Sequence, residues 1–238
     1  MDTDLNLTQH ISNRFNDELE EVRSQVMNMG GLVEKQVSDG LKALLKAKSK
    51  LGEKVASSDY KVNAMEVDID EQCTLILARR QPAASDLRLV ISIIKTITDL
   101  ERIGDEAEQL GMYAIKLADD NIKPSQFVEL RHLGEHVKGM LHDALDAFVR
   151  MDVVAAMETI EASSTLKEEY DAISRQLILQ MMEDPRQIKN ALHVHWCARS
   201  LERIGDHAEN ICEYVVYLVK GRDVRHVSID EMKAELEE

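Results

Sequence analysis

The chain has 238 residues, with 44 Asp and Glu against 29 Lys and Arg, a formal net charge of −15 and a hydrophobic fraction of 44%. That balance repels nucleic-acid phosphate and anionic membrane, and no Lys/Arg stripe offsets it, so the sequence predicts no nucleic-acid partner and membrane contact only through other proteins. The excess of acid points instead to cations or to a partner with a basic surface.

With 3 Pro, 10 Gly and few aromatic residues, the chain alternates Leu, Ile, Val, Met and Ala with charged residues, the composition of long helices. Periodicity near 3.6 predominates, without a convincing alternating strand. A first helix is expected over about 9–46, with Gly30-Gly31 as a weak point. A second is expected over about 49–80, carrying Val62, Met65, Ile69, Cys73 and Ile76 at 3/4 spacing. The stretch Gln81-Pro82-Ala83-Ala84 breaks the pattern, because proline disfavours helical geometry at the residue before it. Ser85 is placed to cap a third helix, with Asp86 in its first turn, running to about residue 118.

Asp119-Asp120-Asn121-Ile122-Lys123-Pro124-Ser125 reads as the linker. Helices are expected after it at about 126–150, 153–183 and 186–220, with Asp152 as an N-cap and Pro185 in the position equivalent to Pro82. Residues 221–238 read as a polar tail with one short helix. The fold expected is all-α, two tandem antiparallel three-helix bundles: a first repeat over 1–120, a second over 121–220, then the tail. Cys73, Cys197 and Cys212 form no CxxC pair, the opening MDTDLNLT is not a signal peptide, and runs such as LVISII are too short to span a bilayer. A cytoplasmic location is therefore expected.

The repeat is sharpest at one string. Residues 100–108 read LERIGDEAE and residues 201–209 read LERIGDHAE, differing only at Glu106 and His207. Along the third helix a seam of Leu87, Ile91, Ile94 and Thr98 continues as Glu101, Asp105 and Glu108, then returns to apolar character at Met112 and Ile115. A neighbouring stripe (Leu89, Ile93, Leu100, Ile103, Ala107, Leu110) stays apolar. The sixth helix repeats this, with Ile188, Leu192, His195, Arg199, Glu202, Asp206 and Glu209. Carboxylates one turn apart repel by a few tenths of a kcal/mol, and Gly104 and Gly205 each cost about 1 kcal/mol relative to Ala. Solvated acidic faces are common, and Arg102 and Arg203 adjoin these acids, but a solvated face has no need to keep sequence and register through both halves. Carboxylates facing one another between helices hold hard cations. Folding the second helix onto the third brings Glu66 near residue 100 and Asp70 near residue 96. In the second half Asp171 follows Asp70 at the same offset, while Lys167 stands in place of Glu66, so two unequal cation sites are expected.

Other motifs carry less. His132-Leu133-Gly134-Glu135-His136 fits a zinc-peptidase pattern, but five residues arise easily in a helical, Glu-rich chain, and no third ligand or cleft accompanies them. His195 lies one heptad before Glu202 and is a minor ligand candidate. A carboxylate-bridged metalloenzyme would bring Glu-x-x-His pairs beside LERIGD, and there are none; a purely structural helical adaptor is the other alternative. No phosphate loop, GxSxG or nucleophile–base pair is found, and nothing argues for an enzyme.

The doubled LERIGD-x-AE with its ExxxD spacing, the QPxxSDLR turn at 81–88 and the two-fold helical plan resemble the PhoU family over roughly residues 5–220. The resemblance implies two three-helix bundles, often as a homodimer, with carboxylate motifs that hold a divalent or trivalent metal ion (Mg, Mn, Fe or Zn). It implies a cytoplasmic negative regulator of the phosphate regulon that couples the phosphate ABC transporter ATPase to a phosphate-sensing histidine kinase. Glu101, Asp105, Glu202 and Asp206 match the motif, and Glu66 and Asp70 match its additional ExxxD; Asp171 corresponds to Asp70, and Lys167 departs from the pattern.

Overall fold

The computed structural model describes residues 13–120, 128–225 and 227–237, and every regular element among them is helical. The linker expected at 119–125 falls mostly outside the described residues, as does the start of the first helix. The first half comprises α1 (Asn13–Leu45), α2 (Ser49–Ala56), α3 (Tyr60–Arg80) and α4 (Ala84–Asp119). The second comprises α5 (Val128–Arg150), α6 (Val153–Glu183) and α7 (Ile188–Lys220), followed by α8 (Ile229–Glu237). A 3-10 turn at Pro185–Gln187 leads into α7, its first residue being the proline.

Both halves turn their first corner in the same way. Ala47 (φ 47°) and Met151 (φ 53°) end α1 and α5 in the left-handed region. The following amides bond back across the corner, Lys48 to Ala43 O and Asp152 to Ala147 O, each at 2.9 Å, which satisfies carbonyls the helix ends leave over. Asp152 caps α6 as expected, its carboxylate accepting from the Val154 and Ala155 amides. Ser85 does not cap α4: the helix starts one residue earlier, at Ala84, and its N-cap position, Ala83, offers no side-chain acceptor.

The halves differ at one point that the periodicity concealed. A single helix was expected over 49–80, but the chain breaks at 57–59. The Ser57 and Ser58 hydroxyls donate to the Lys54 and Val55 carbonyls and end α2, serine competing with the helix ladder as it often does. α6 runs unbroken through the corresponding stretch, as one helix over Val153–Glu183. The break gives Asp59, which starts α3, a freedom of direction that a mid-helix residue would lack.

α4 and α7 are the central pair and lie antiparallel over nearly their whole length, from the Arg88 guanidinium donating to Leu218 O at one end to Lys189–Asp120 at the other. Their inner stripes form the core: Leu89, Ile93, Leu100, Ile103, Ala107 and Leu110 of α4 are all buried, as are Ala198, Leu201, Ile204, Ala208 and Val215 of α7. The one residue that differs between the two LERIGD strings is used at this interface. Glu106 pairs with Arg203 at 2.9 Å, and His207 bonds to Asp99 at 2.6 Å, with Asn210 donating to the same carboxylate. Outside the pair, α1 and α3 cover α4, and α5 and α6 cover α7. The tail is less polar than its composition: Val224 and Met232 are buried, and Lys233 meets Glu161 of α6 at 2.7 Å.

Candidate metal centre

The two motif glycines are where neighbouring helices come closest. A Cβ on Gly104 would lie 3.0 Å from Asp59 Oδ1, 3.3 Å from Val62 Cγ1 and 3.6 Å from Gln36 Oε1; a Cβ on Gly205 would overlap the Leu166 side chain. The same glycine therefore admits a carboxylate and an amide in the first half and a leucine in the second. Because α3 runs antiparallel to α4, Asp59 comes level with Asp105 and Glu108. Carboxylate oxygens of these three residues all lie within 4.8 Å of one another. Oxygens on an ion with bonds of about 2.0–2.4 Å stand roughly 3–4.5 Å apart, so side-chain rotation alone closes the set.

The electrostatics of the triad are those of acids held together. Burial raises the Asp59 pKa, with the Asp105 charge adding to it and a bond from Asn63 Nδ2 to Oδ2 opposing it. Burial likewise raises Glu108, reinforced by Asp59 and Asp105. Glu101 forms the next rung: burial lifts its pKa, followed by Asp105, with Glu66 and Asp59 pushing in the same direction and only Arg102 against them. Arg102 is half-exposed and reaches Glu101 and Asp105 at 3.4 and 3.5 Å, from the rim.

Two oxygens in this corner have no partner. Asp59 is 8% exposed and Gln36 only 5%, yet Asp59 Oδ1 and Gln36 Oε1 are buried without a hydrogen bond, both close to the space left by Gly104. Gln36 uses its amide nitrogen on Ser58 Oγ at 3.2 Å and leaves its oxygen bare. Two buried acceptors beside two further carboxylates fit a cation: the donor set is all oxygen, which suits a hard ion. The cysteines are not competitors for it. All three are buried and unpaired, and burial pushes Cys73 and Cys212 up to about 12 and Cys197 higher still, so none supplies a thiolate at neutral pH.

The residues singled out from sequence divide as follows. Asp105 joins the triad, Glu101 and Glu66 lie one rung along, and Asp70 lies beyond: eleven residues after Asp59, it is about 16 Å further along α3 at 1.5 Å per residue, and its charge is felt by Cys73. In the second half Glu202 is buried and hydrogen-bonded to Arg199 at 2.7 Å, while Asp206 and Glu209 contact Lys167. Asp171 is exposed, one turn beyond Lys167. Of the triad, Asp59 was missed because 49–80 read as one helix, although Ser-Ser-Asp is a typical helix-interrupting string. Gln36 was missed too, although it interrupts the seam Val22, Val26, Met29, Val33, Gln36, Gly40 at strict 3/4 spacing. His136 of the zinc-peptidase pattern instead pairs with Glu169 at 3.4 Å.

Comparison with known proteins agrees with this architecture. The PhoU domain profile matches the chain twice, over residues 26–114 and 130–215, one match to each half. The chain belongs to the PhoU family. A relative from Pseudomonas putida, named as a phosphate-specific transport system accessory protein PhoU homolog, is 54% identical over 97% of this chain and 90% of its own length. The crystal structure of PhoU from Pseudomonas aeruginosa superposes with a TM-score of 0.85 at 53% identity, covering 87% of this chain and all of that one. That of the phosphate transport system regulatory protein PhoU from Streptococcus pneumoniae gives 0.81 at 30% identity, covering 88% and 99%. The names of these PhoU relatives are those of accessory and regulatory proteins, not of enzymes. None of the described helices of this PhoU-family chain is long and apolar enough to cross a membrane.

Proposed function

We propose that this PhoU-family chain is a cytoplasmic, metal-binding regulator of phosphate homeostasis. It couples the phosphate ABC transporter ATPase to the phosphate-sensing histidine kinase, acts as a homodimer, and represses the phosphate regulon when phosphate is abundant. The link to phosphate transport rests on the relatives' names and on the PhoU profile matched in both halves, while the kinase coupling and the repression follow from the family resemblance of the doubled LERIGD motif. The metal-binding part is carried by one observation: the unpartnered, buried Asp59 Oδ1 and Gln36 Oε1 beside Asp105 and Glu108.

Asp59, Asp105 and Glu108 hold the ion, with Gln36 Oε1 as a neutral donor and Glu101 and Glu66 supplying outer negative charge. The ion is Mg, Mn, Fe or Zn, and the all-oxygen set favours the harder members. Bound there, it ties the start of α3 to the middle of α4 and relieves the mutual repulsion of the carboxylates. No bond is made or broken in this role. The test is genetic: deleting the gene should switch on phosphate-scavenging genes in phosphate-rich medium, and the wild-type gene should silence them again. An unchanged expression profile in the deletion strain removes the regulatory reading.

A further inference from the structure

We infer that the second repeat carries its own cation: the Lys167 ammonium occupies the place that a metal ion takes in the first, so the chain holds one metal ion rather than two. This rests on the metal reading of the first repeat given above.

The same three acids recur at an offset of 101 residues: Glu101, Asp105 and Glu108 become Glu202, Asp206 and Glu209. What surrounds them does not recur. The outer helices match at an offset of 104, as the corners at Ala47 and Met151 and the contacts of Val62 with Gly104 and Leu166 with Gly205 show. Asp59 is thus replaced by Ser163, Asn63 by Lys167 and Glu66 by Tyr170, while in α7 Thr98 is replaced by Arg199. Lys167 Nζ lies 3.0 Å from Glu209 Oε2 and 3.7 Å from Asp206 Oδ1, bridging the two carboxylates whose first-repeat counterparts converge with Asp59. Arg199 neutralises the third, Glu202, at 2.7 Å. In the first repeat Arg102 reaches Glu101 and Asp105 only from the rim, whereas in the second Lys167 and Arg199 sit directly against the three acids.

The floor of the second site matches this. Leu166 fills the space beside Gly205 where the first repeat has Asp59 and Gln36 oxygens, and buried Met140 stands at the position of Gln36 in the register that pairs Gly30 with Gly134. A hydrated divalent ion would meet two methyl-lined walls and a fixed ammonium. The Lys167 ammonium is tethered by its contacts with Glu209 and Asp206, at 3.0 and 3.7 Å. A tethered ammonium needs no ion from solution, so the second repeat keeps a constant charge while the first responds to the metal supply.

Equilibrium dialysis of the chelator-treated full chain against manganese(II) alone, with metal counted by mass spectrometry, tests this. The wild type should bind one ion per chain, Lys167→Glu two, and Asn63→Lys none, with circular dichroism confirming the helical fold of each. Asn63 is exposed, so the reciprocal substitution keeps a folded protein in hand even if Lys167→Glu proves unstable. Two ions in the wild type, no additional ion in folded Lys167→Glu, or an undiminished ion in folded Asn63→Lys would overturn the inference. A wild type that binds none, while Lys167→Glu gains one, would sink the metal reading of the first repeat and leave the role of Lys167 standing.

Discussion

Replacing Asp59 by Asn removes a negative charge from a buried position while preserving the shape of the side chain. In the metal-free protein that charge is unfavourable: it is desolvated, faces Asp105, and one oxygen lacks a donor. An amide in the same place can turn its NH2 toward Gln36 Oε1, which also lacks one. Restoring partners to buried acceptors is worth about 1–2 kcal/mol, and in a chain of this size each kcal/mol moves the Tm by about 2–4 °C. The metal-free variant should therefore melt roughly 2–8 °C above the wild type. The pKa of Asp59 is raised on folding, so its contribution to stability is fully present below the ordinary carboxylate range and is lost as pH rises through the folded value. The advantage of Asn should accordingly be largest at neutral and alkaline pH and vanish in acid. With manganese at one hundred times its Kd the wild type gains about 2.7 kcal/mol, about 5–11 °C, and the variant should lose most of that gain. Scanning calorimetry with EDTA and with manganese reads both arms. A variant that is less stable without metal and keeps the full manganese shift would show Asp59 to be an ordinary structural residue, and the reasoning would fail.

Burial, with the charge of Glu209, lifts Glu213 to about 7, so it contributes stability in acid that disappears as pH rises toward 7. Glu213→Gln should gain at most about 3 kcal/mol at pH 8 and almost nothing at pH 4.5, read from urea midpoints at the two pH values. A Cβ on Gly111 would come 2.8 Å from Gly52 O and 3.2 Å from the Ala56 amide, backbone atoms that cannot rotate aside. Gly111→Ala should therefore cost about 1–2 kcal/mol after its helix-propensity gain of about 1 kcal/mol, and a more stable variant would contradict the close α2–α4 packing. Ala47→Gly relieves a left-handed backbone and should raise stability by about 0.5–1 kcal/mol in chemical denaturation.

The fold was legible wherever period and register suffice. The stripe from Leu89 to Leu110 is buried as its spacing demands, and the two prolines separate helices where they should. Register also brought Glu66 to Glu101, because folding two helices about residue 83 is simple geometry. The centre itself was less visible. Asp59 acts from a break whose cause is the two serine hydroxyls, a local competition that hydrophobic periodicity does not record. Asp70 shares a face with Glu66 but lies about 16 Å along α3 from Asp59, so an ExxxD spacing alone does not say which carboxylates come together. The single mismatch in the LERIGD repeat carried information of another kind, since Glu106 and His207 make different cross-bundle contacts, with Arg203 and Asp99. Only the pairing of α4 with α7 explains why that position was free to differ.

The most direct measurement of the central claim is anomalous diffraction from crystals grown with manganese, collected near the metal's absorption edge. One peak per chain is expected, about 2.1–2.4 Å from carboxylate oxygens of Asp59, Asp105 and Glu108, with Gln36 Oε1 facing it. Absence of a peak there from crystals shown to contain manganese, or a peak at Asp206 and Glu209 instead, would contradict the account.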